Sequence, residues 1–332
     1  MPYPCSIYGI GVLANREIPG VPASQIPSVD LHINFGSLPT GINSEVVSDT
    51  KPFFASDYSD ESGQPLLRFF HASDHNYYRF LYSDQTEFWV NKDGTEVWGN
   101  WPESLTLEDA ATYLLGPVMG FVLLLRGIVC LHASAVVIGD EAFALLGPAG
   151  SGKSTTAAAF SNLGYSVIAE DVVTLDDRAD HFLVRPAYPC IRLWPASVVA
   201  LFGSNADLPK LTPNWDKRYL DLTQKFPLEP VRLAAIYHLD HRRGSPEAPF
   251  VAAVDKSDGL MSLVANTYAT KLMDKQMRAR EFELLTRVSN HVPLRRVTPH
   301  SDTTRIPDLC DLILEDFASL TLSQSEANAL HV

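Results

Sequence analysis

The residues with the clearest chemical meaning form one short segment, Gly147-Pro148-Ala149-Gly150-Ser151-Gly152-Lys153-Ser154-Thr155. This segment fits the pattern G-x-x-x-x-G-K-[ST], which is known as the P-loop. Its glycines allow successive backbone N–H groups to turn inward and surround phosphate oxygens. In this pattern the lysine, Lys153, reaches the β- and γ-phosphates, and the hydroxyl of Ser154 binds Mg²⁺. The segment therefore predicts a site for ATP and Mg²⁺.

The elements on either side of this loop decide whether it can hold a phosphate. Residues 141–146 are mostly apolar and predict a short buried strand before the loop. Residues 155–163 predict a helix after the loop, and Gly164 is suited to end it. The amino end of that helix would point at the phosphates, where the helix dipole favours an anion.

Two adjacent acids, Glu170 and Asp171, follow the next predicted strand, residues 165–169. An enzyme that uses Mg·ATP needs a carboxylate near the metal, and a kinase benefits from a second carboxylate that accepts the hydroxyl proton. We predict that Asp171 holds Mg²⁺ together with Ser154 and that Glu170 is the base. A turn with two solvated acids is the alternative interpretation.

Cations are needed over the phosphoryl group that is transferred, and arginine is suited to this contact. The predicted clamp consists of Arg192, Lys217 and Arg218, with surface ion pairs as the alternative interpretation. Arg242 and Arg243 lie in a segment rich in glycine and proline and are interpreted as surface residues.

The composition is that of an ordinary globular protein with a sizeable core, since 46% of the 332 residues are hydrophobic and 20% are charged. The net charge of −13 argues against nucleic acid as a partner, because binding along phosphates needs clustered basic residues. The four cysteines are scattered, and the first residues lack the basic and apolar regions of a secretory signal. We therefore expect a cytoplasmic protein with no disulfide framework.

The chain is predicted to have two parts. Residues 1–104 carry short aromatic strands and an Asp-Gly hairpin turn at residues 91–95, which predicts a β-rich N-terminal unit. Residues 105–332 are predicted to form an α/β domain that contains the loop. Residues 128–138 are predicted to form one strand. The apolar stretch at residues 113–129 contains Gly116, Pro117 and Arg126, which favours a buried helix over a membrane span.

Three short runs together resemble the catalytic core of bacterial HPr kinase/phosphorylase: residues 131–136 around His132, the loop itself, and residues 164–171. That family carries a histidine fifteen residues before its loop glycine and an Ala-Asp-Asp that ends the strand after the loop helix. The resemblance covers about residues 128–176 and implies a P-loop core of the HPr-kinase type. It also implies that His132 helps to position the phosphates or the acceptor, whereas a lone strand histidine is usually structural.

The chain departs from the family in three respects. Glu170 stands where the family has its first aspartate, and residues 188–195 and 216–220 stand in place of the family's Glu-x-Arg-Gly signature. The N-terminal unit also differs from that of the bifunctional enzymes. The chain is thus more similar to divergent HPr-kinase-related proteins, some of which phosphorylate a precursor peptide in lasso peptide biosynthesis. This resemblance implies phosphorylation of a serine hydroxyl of a peptide or protein other than HPr, and a homo-oligomer. A small-molecule kinase and a nucleotide-gated regulatory ATPase remain the alternatives.

Overall fold

The computed structural model of the protein describes residues 1–42, 51–72, 76–203 and 208–329, with side chains as far as Leu322. The fold combines helices with several β-sheets and is therefore of the mixed α/β kind. The described residues divide into two compact units. The first unit comprises Met1–Ile128, Leu211–Trp215 and Ala269–Arg280, and the second comprises Val129–Lys210, Asp216–Tyr268 and Glu281–Val332.

Among the described residues, the first unit contains an eight-stranded sheet with the order β1-β2-β3-β8-β7-β6-β5-β4. Its strands are β1 (Tyr3–Ile7), β2 (Ile10–Ala14), β3 (Leu31–Phe35), β4 (Phe54–Ala55), β5 (Leu67–Ala72), β6 (Tyr77–Tyr82), β7 (Glu87–Asn91) and β8 (Glu96–Asn100). In β3 the buried residues alternate with more exposed ones, as in a strand with one buried face.

The predicted hairpin turn at residues 91–95 is present between β7 and β8. Gly94 has a φ angle of 63°, a left-handed conformation that glycine adopts without strain. The side-chain oxygen of Asn91 accepts hydrogen bonds from the backbone N–H groups of Thr95 and Glu96, at 2.8 and 3.0 Å. These bonds fix the register of the two strands.

A continuous helical stretch follows the sheet and consists of α1 (Leu107–Tyr113), a π-helical turn (Leu114–Val118) and α2 (Met119–Leu125). Thr106 and Asp109 cap its start reciprocally through side-chain and backbone hydrogen bonds. The π-helical turn contains Pro117, which cannot donate the backbone hydrogen bond of a regular helix. By length and composition Leu107–Leu125 could cross a membrane, but 78% of its most apolar window is buried inside the protein, as in a core helix.

Because this helix packs on the sheet, the N-terminal segment of the first unit ends later in the chain than the sequence analysis predicts. Phe121 packs against Phe69, Tyr78 and Phe80 of the sheet, with ring centroids 4.8–5.6 Å apart. The first unit therefore includes the helix and extends through Ile128, whereas the predicted boundary lay between residues 104 and 105. Aromatic burial decided this boundary, and such packing cannot be read from local sequence pattern.

The second unit contains the glycine-rich loop. Its strands are β9 (Val129–His132), β10 (Ser134–Ile138), β11 (Glu141–Leu146), β12 (Ser166–Ala169), β13 (Val172–Asp177), β14 (Phe182–Val184), β15 (Cys190–Leu193), β17 (Trp215–Asp221), β18 (Val231–Leu239), β19 (Phe250–Ala253) and β20 (Leu294–Thr298), with Trp215 of β17 assigned to the first unit. Of β16 (Lys210–Thr212), only Lys210 is assigned to the second unit. Its helices are α3 (Lys153–Asn162), α4 (Pro195–Phe202), α5 (Lys256–Ala265), α6 (Lys275–His291), whose first turns belong to the first unit, and α7 (Ile306–Ala329).

Within the described residues, nine of these strands form one sheet, and β15, β17 and β16 form a smaller one. The main path of the large sheet runs β12-β10-β11-β18-β14-β13-β9, and β20 and β19 extend it from β18. Strand β11 pairs with β18 in parallel, so both strands end at the same edge of the sheet.

The prediction of a single strand at residues 128–138 is wrong in one respect, because the extended segment is broken at Ala133 into β9 and β10. Strand β9 pairs with β13 at one end of the sheet path, and β10 pairs with β12 at the other end. Only Ala133 separates β9 from β10, and only Glu170 and Asp171 separate β12 from β13. The two ends of the sheet are therefore joined through these residues, where the Ala133 N–H donates to the Asp171 carbonyl at 3.3 Å.

Candidate active site

The glycine-rich loop joins β11 to α3, and the strand and helix predicted beside it are both present. The φ angles of Gly147, Gly150 and Gly152 are 140°, 81° and 109°, values that side chains disfavour. A Cβ atom at Gly147 would lie 2.5 Å from the carbonyl oxygen of Leu239, the last residue of β18. The loop can therefore turn tightly against the sheet only with glycine at this position.

The start of α3 offers backbone N–H groups to a ligand. Gly152 is the N-cap residue and has no side chain to occupy the first N–H groups of the helix, which have no partner within the helix itself. A Cβ atom at Gly150 would meet no other atom within 4 Å, so open space lies beside the loop. The loop thus fits an anionic ligand such as phosphate.

Lys153 is held within the loop. Its side chain donates to the carbonyl oxygens of Gly147 at 2.8 Å and Pro148 at 3.3 Å, and the residue is 7% exposed. Burial lowers the pKa of Lys153, and the negative charges of Asp171 and Glu170 act in the opposite direction. The ammonium group is therefore held by the loop carbonyls, near enough to the acid pair for the two carboxylate charges to act on it.

The two predicted acids occupy a tight turn between β12 and β13. The Val172 N–H donates to the Glu170 carbonyl at 2.8 Å, and Asp171 has a φ angle of 67°. Neighbouring side chains on a regular strand point to opposite faces, but this left-handed residue interrupts the alternation. As a result, both carboxylates line the same cavity.

The acid pair contacts the loop helix and one predicted clamp residue. The Ser154 hydroxyl donates to Oε1 of Glu170 at 2.8 Å. Arg192, on β15, donates from Nε to Oε2 of Glu170 at 3.4 Å and from Nη2 to Oδ2 of Asp171 at 2.8 Å. The alternative of two solvated acids is therefore wrong for Glu170, whose side chain is only 5% exposed.

The environments of the two carboxyl groups move their pKa values in opposite directions. Burial raises the pKa of Glu170, against the opposing effect of the Arg192 charge. Burial also acts to raise the pKa of Asp171, but the charges of Arg192, His132 and Lys217 outweigh it and leave the pKa below its ordinary value. Asp171 is therefore the carboxyl group that more readily stays anionic, and Glu170 is the one that more readily accepts a proton.

His132 stands at the end of β9 beside the acid pair. Its Nδ1 lies 3.5 Å from Oδ1 of Asp171, and its backbone N–H donates to the carbonyl of Asn266 at 2.7 Å. The ring centroids of His132 and Tyr268 are 5.9 Å apart. Burial lowers the pKa of His132, although the negative charge of Asp171 opposes the shift.

These groups line a single cavity of about 290 Å³. Of the residues predicted from the sequence, the cavity brings together Ala149, Gly150, Gly152, Lys153, Ser154, Thr155, His132, Glu170, Asp171, Arg192 and Lys217. Three residues of the loop do not line the cavity, namely Gly147, Pro148 and Ser151. The carbonyls of Gly147 and Pro148 bind Lys153, and Gly147 lies against the Leu239 carbonyl.

Of the two predicted clamp residues on β17, one lines the cavity and the other does not. Lys217 lines the cavity, with its ammonium 5.1 Å from the ring centroid of Trp194. Arg218 is the next residue on the same strand, and successive strand residues point to opposite faces. Arg218 is therefore not among the residues that line the cavity.

Sequence reasoning missed Trp194, Ser197 and Arg242, which also line the cavity. Arg242 is exposed, as the sequence analysis expects of a surface residue, but it also reaches the loop, since a Cβ atom at Gly152 would lie 2.8 Å from its Nη2 atom. Arg242 follows the end of β18, the parallel neighbour of β11. Ligand sites in such sheets form beyond the carboxyl ends of parallel strands, and this was the available signal.

The oxygen atoms in the cavity fit a hard divalent cation. Mg²⁺ prefers oxygen ligands, and Ser154, Glu170 and Asp171 provide a hydroxyl and two carboxylates. These carboxylates already have a cationic group, the guanidinium of Arg192, seated against them. Its position indicates that the acid pair is arranged to hold a positive charge.

Comparisons with known proteins add little to this geometry. No protein-family profile matches the chain, and no curated protein matches it. Among solved structures, the Hpr(Ser) kinase/phosphatase from Coxiella burnetii is similar with a TM-score of 0.35 and 11% identity. The match covers 60% of this chain and 96% of that one. At this TM-score the likeness is distant, and conclusions on function rest on the site itself.

Proposed function

We propose that the protein is an ATP-dependent kinase that transfers the γ-phosphoryl group to a hydroxyl. One observation carries the proposal: the Ser154–Glu170 hydrogen bond joins the glycine-rich loop to the acid pair within one cavity. A phosphate-binding loop alone is compatible with many activities. An adjacent pair of carboxylates supplies what phosphoryl transfer to a hydroxyl also needs, namely a metal ligand and a proton acceptor.

In this proposal the loop binds the phosphates through the backbone N–H groups at the start of α3. Lys153 exchanges its bonds to the carbonyls of Gly147 and Pro148 for bonds to phosphate oxygens. Arg242, beside Gly152, adds a second positive charge on the same side. Lys217 and Arg192 face the acid pair from the opposite wall of the cavity.

Ser154 and Asp171 are proposed to hold Mg²⁺, because the lowered pKa of Asp171 keeps an anionic ligand available. When bound, Mg²⁺ neutralises charge that develops on the phosphate oxygens. The hydroxyl of Ser154 would then exchange its bond to Glu170 for one to the metal, which leaves the Glu170 carboxylate free. Glu170 accepts the proton of the attacking hydroxyl, and its raised pKa suits that task. His132 keeps Asp171 in place from the other side.

The acceptor is proposed to be a serine of a peptide or protein. This part of the proposal is based on the resemblance of the short sequence runs to HPr-kinase-related proteins. One feature of the site is compatible with a large acceptor, since Trp194 lines the cavity and yet is 57% exposed. An exposed aromatic ring at the rim can contact a chain that extends beyond the cavity.

Nucleotide binding is the first test. Mg·ATP is expected to raise the melting temperature, because a ligand that binds only the native state stabilises it. Lys153→Ala should lower phosphoryl transfer by about 10²–10³-fold, the size of effect seen when one preorganised contact to developing charge is removed. Lys225→Ala, outside the cavity, is the matched control. Absence of a thermal shift at millimolar Mg·ATP would refute the nucleotide site.

The acceptor is tested by mass spectrometry after incubation with ATP. A peptide-serine kinase is expected to add phosphate to a serine of a precursor peptide encoded beside it. Phosphorylation of a metabolite with no peptide product would favour a small-molecule kinase. Release of free phosphate with every acceptor would favour a regulatory ATPase. The expected homo-oligomer stays a prediction that sedimentation analysis can check.

A further inference from the structure

Arg192 makes an unusual contact for a residue expected to bind phosphate. Its guanidinium spans both members of the acid pair, with donor–acceptor distances of 3.4 Å to Glu170 and 2.8 Å to Asp171. Its side chain is only 10% exposed, and the two carboxylates are 5% and 23% exposed. The three side chains therefore form a mostly buried cluster of one cation and two acids.

Electrostatics explains why the arginine takes this position. Two neighbouring carboxylates that are mostly removed from water repel each other, and each one loses hydration. A bridging guanidinium offsets both effects with directed, charge-assisted hydrogen bonds. Lys153, Lys217 and His132 also face the acid pair. These three side chains make no direct hydrogen bond to the two carboxylates, whereas Arg192 does. Arg192 is thus the principal direct counter-ion of the pair.

We propose that Arg192 and the divalent cation compete for the same carboxylate oxygens, so that Arg192 occupies the metal position whenever no metal is bound. The inference rests on the proposed function, which gives Mg²⁺ to Ser154 and Asp171. Arg192 already occupies Oδ2 of Asp171 at 2.8 Å and lies 3.4 Å from Oε2 of Glu170. A second positive charge cannot approach the Asp171 carboxylate closely while the guanidinium stays there. Metal binding therefore displaces the guanidinium from the acid pair.

This competition links metal binding to the phosphate clamp. While Arg192 is bonded to the two acids, its Nε and Nη2 donors are engaged with their carboxylates. Once a metal replaces it, those donors become available for the phosphoryl group. The clamp would then be completed only after metal and nucleotide have entered together, and the protein would bind free metal weakly.

The experiment measures binding of Mn²⁺ without nucleotide, by electron paramagnetic resonance and by calorimetry. The wild-type protein is compared with Arg192→Ala and with Arg192→Gln, which keeps a polar side chain but removes the charge. Both variants are expected to bind Mn²⁺ about tenfold or more tightly than the wild type, because a charged competitor has been removed. Arg295→Ala is the matched control, since Arg295 pairs with Asp316 at 3.3 Å and does not line the cavity.

Thermal unfolding gives a second readout that does not depend on activity. Without metal, Arg192→Ala and Arg192→Gln should melt several degrees below the wild type, because the acid pair has lost its counter-ion. Mn²⁺ should raise the melting temperature of these variants more than that of the wild type. Arg295→Ala should also melt earlier, but Mn²⁺ should not restore it preferentially.

Equal Mn²⁺ affinity in the wild type and in both Arg192 variants would overturn the competition. Loss of Mn²⁺ binding in the variants would overturn it as well, because Arg192 would then support the metal rather than compete with it. These outcomes are distinct from failure of the proposed function, which is measured separately as the absence of a Mg·ATP thermal shift in the wild type. A normal shift with unchanged Mn²⁺ affinities would reject this inference alone.

Discussion

The two sides of the cavity are built in different ways. One side is a continuous segment, residues 147–155, in which backbone N–H groups and Lys153 follow each other in the chain. The other side brings together Arg192 from β15, Trp194 from between β15 and α4, Ser197 from α4 and Lys217 from β17. The two sides meet where the Ser197 and Thr155 hydroxyls lie 2.8 Å apart. The first side depends on local backbone conformation, whereas the second depends on how strands and helices pack.

This difference indicates where the chain can vary without losing its chemistry. Glycines in left-handed conformations and a helix amino end are suited to phosphate through local conformation alone. Under the proposed function, the residues of the other side would meet what lies beyond the phosphates and would help to determine the acceptor. The acid pair lies between the two sides, since Glu170 is bonded to Ser154 on one side and to Arg192 on the other.

The largest effect is expected from the acid pair itself. Glu170→Gln should lower kcat by about 10²–10⁴-fold with little change in nucleotide affinity, since a general base contributes about that factor. Asp171→Asn should instead weaken Mg²⁺ dependence and recover in part at high Mg²⁺, because an anionic ligand has been removed. A Mg²⁺ titration of both variants at saturating ATP makes the measurement. If Mg²⁺ rescues Glu170→Gln instead, the two roles are reversed.

A smaller effect is expected from the residue that the fold adds to the loop side. Arg242→Ala should lower kcat/KM for ATP by about tenfold, because a charge-assisted contact beside Gly152 is lost. Arg243→Ala changes the net charge equally at a residue that is exposed like Arg242 but does not line the cavity. Steady-state kinetics at varied ATP compare the two variants. Equal losses in both would mean that Arg242 acts only through general surface charge.

The smallest effect is expected from two neighbouring residues of β17, Lys217 and Arg218. Lys217→Ala should weaken activity several-fold, since Lys217 lines the cavity beside Trp194. Arg218→Ala should cost less than about threefold, because the alternation of strand side chains directs it to the other face. Steady-state kinetics with the acceptor that mass spectrometry identifies as the substrate measure the activity of both variants. A larger loss for Arg218 than for Lys217 would contradict the assignment of the faces.

The short-range features of this protein were predictable from its sequence. The strand at Glu141–Leu146, the helix that follows the loop and the hairpin turn at residues 91–95 are all present. Each depends on neighbours in the chain: apolar runs, glycines that accept left-handed angles, and side chains that bond to the adjacent backbone. The acid pair was also predictable, because Glu170 and Asp171 follow a recognisable strand.

Other features were decided only by the tertiary structure. The sequence placed Arg218 in the clamp, but Arg218 does not line the cavity. Arg242 is exposed, as the sequence analysis expected, and it also lines the cavity, because β18 pairs in parallel with β11 and ends beside the loop. The break at Ala133 arises because β9 and β10 pair with strands at opposite ends of the sheet path. Local propensity specifies a strand but not its partners, and long-range pairing in this sheet determines which side chains share the cavity.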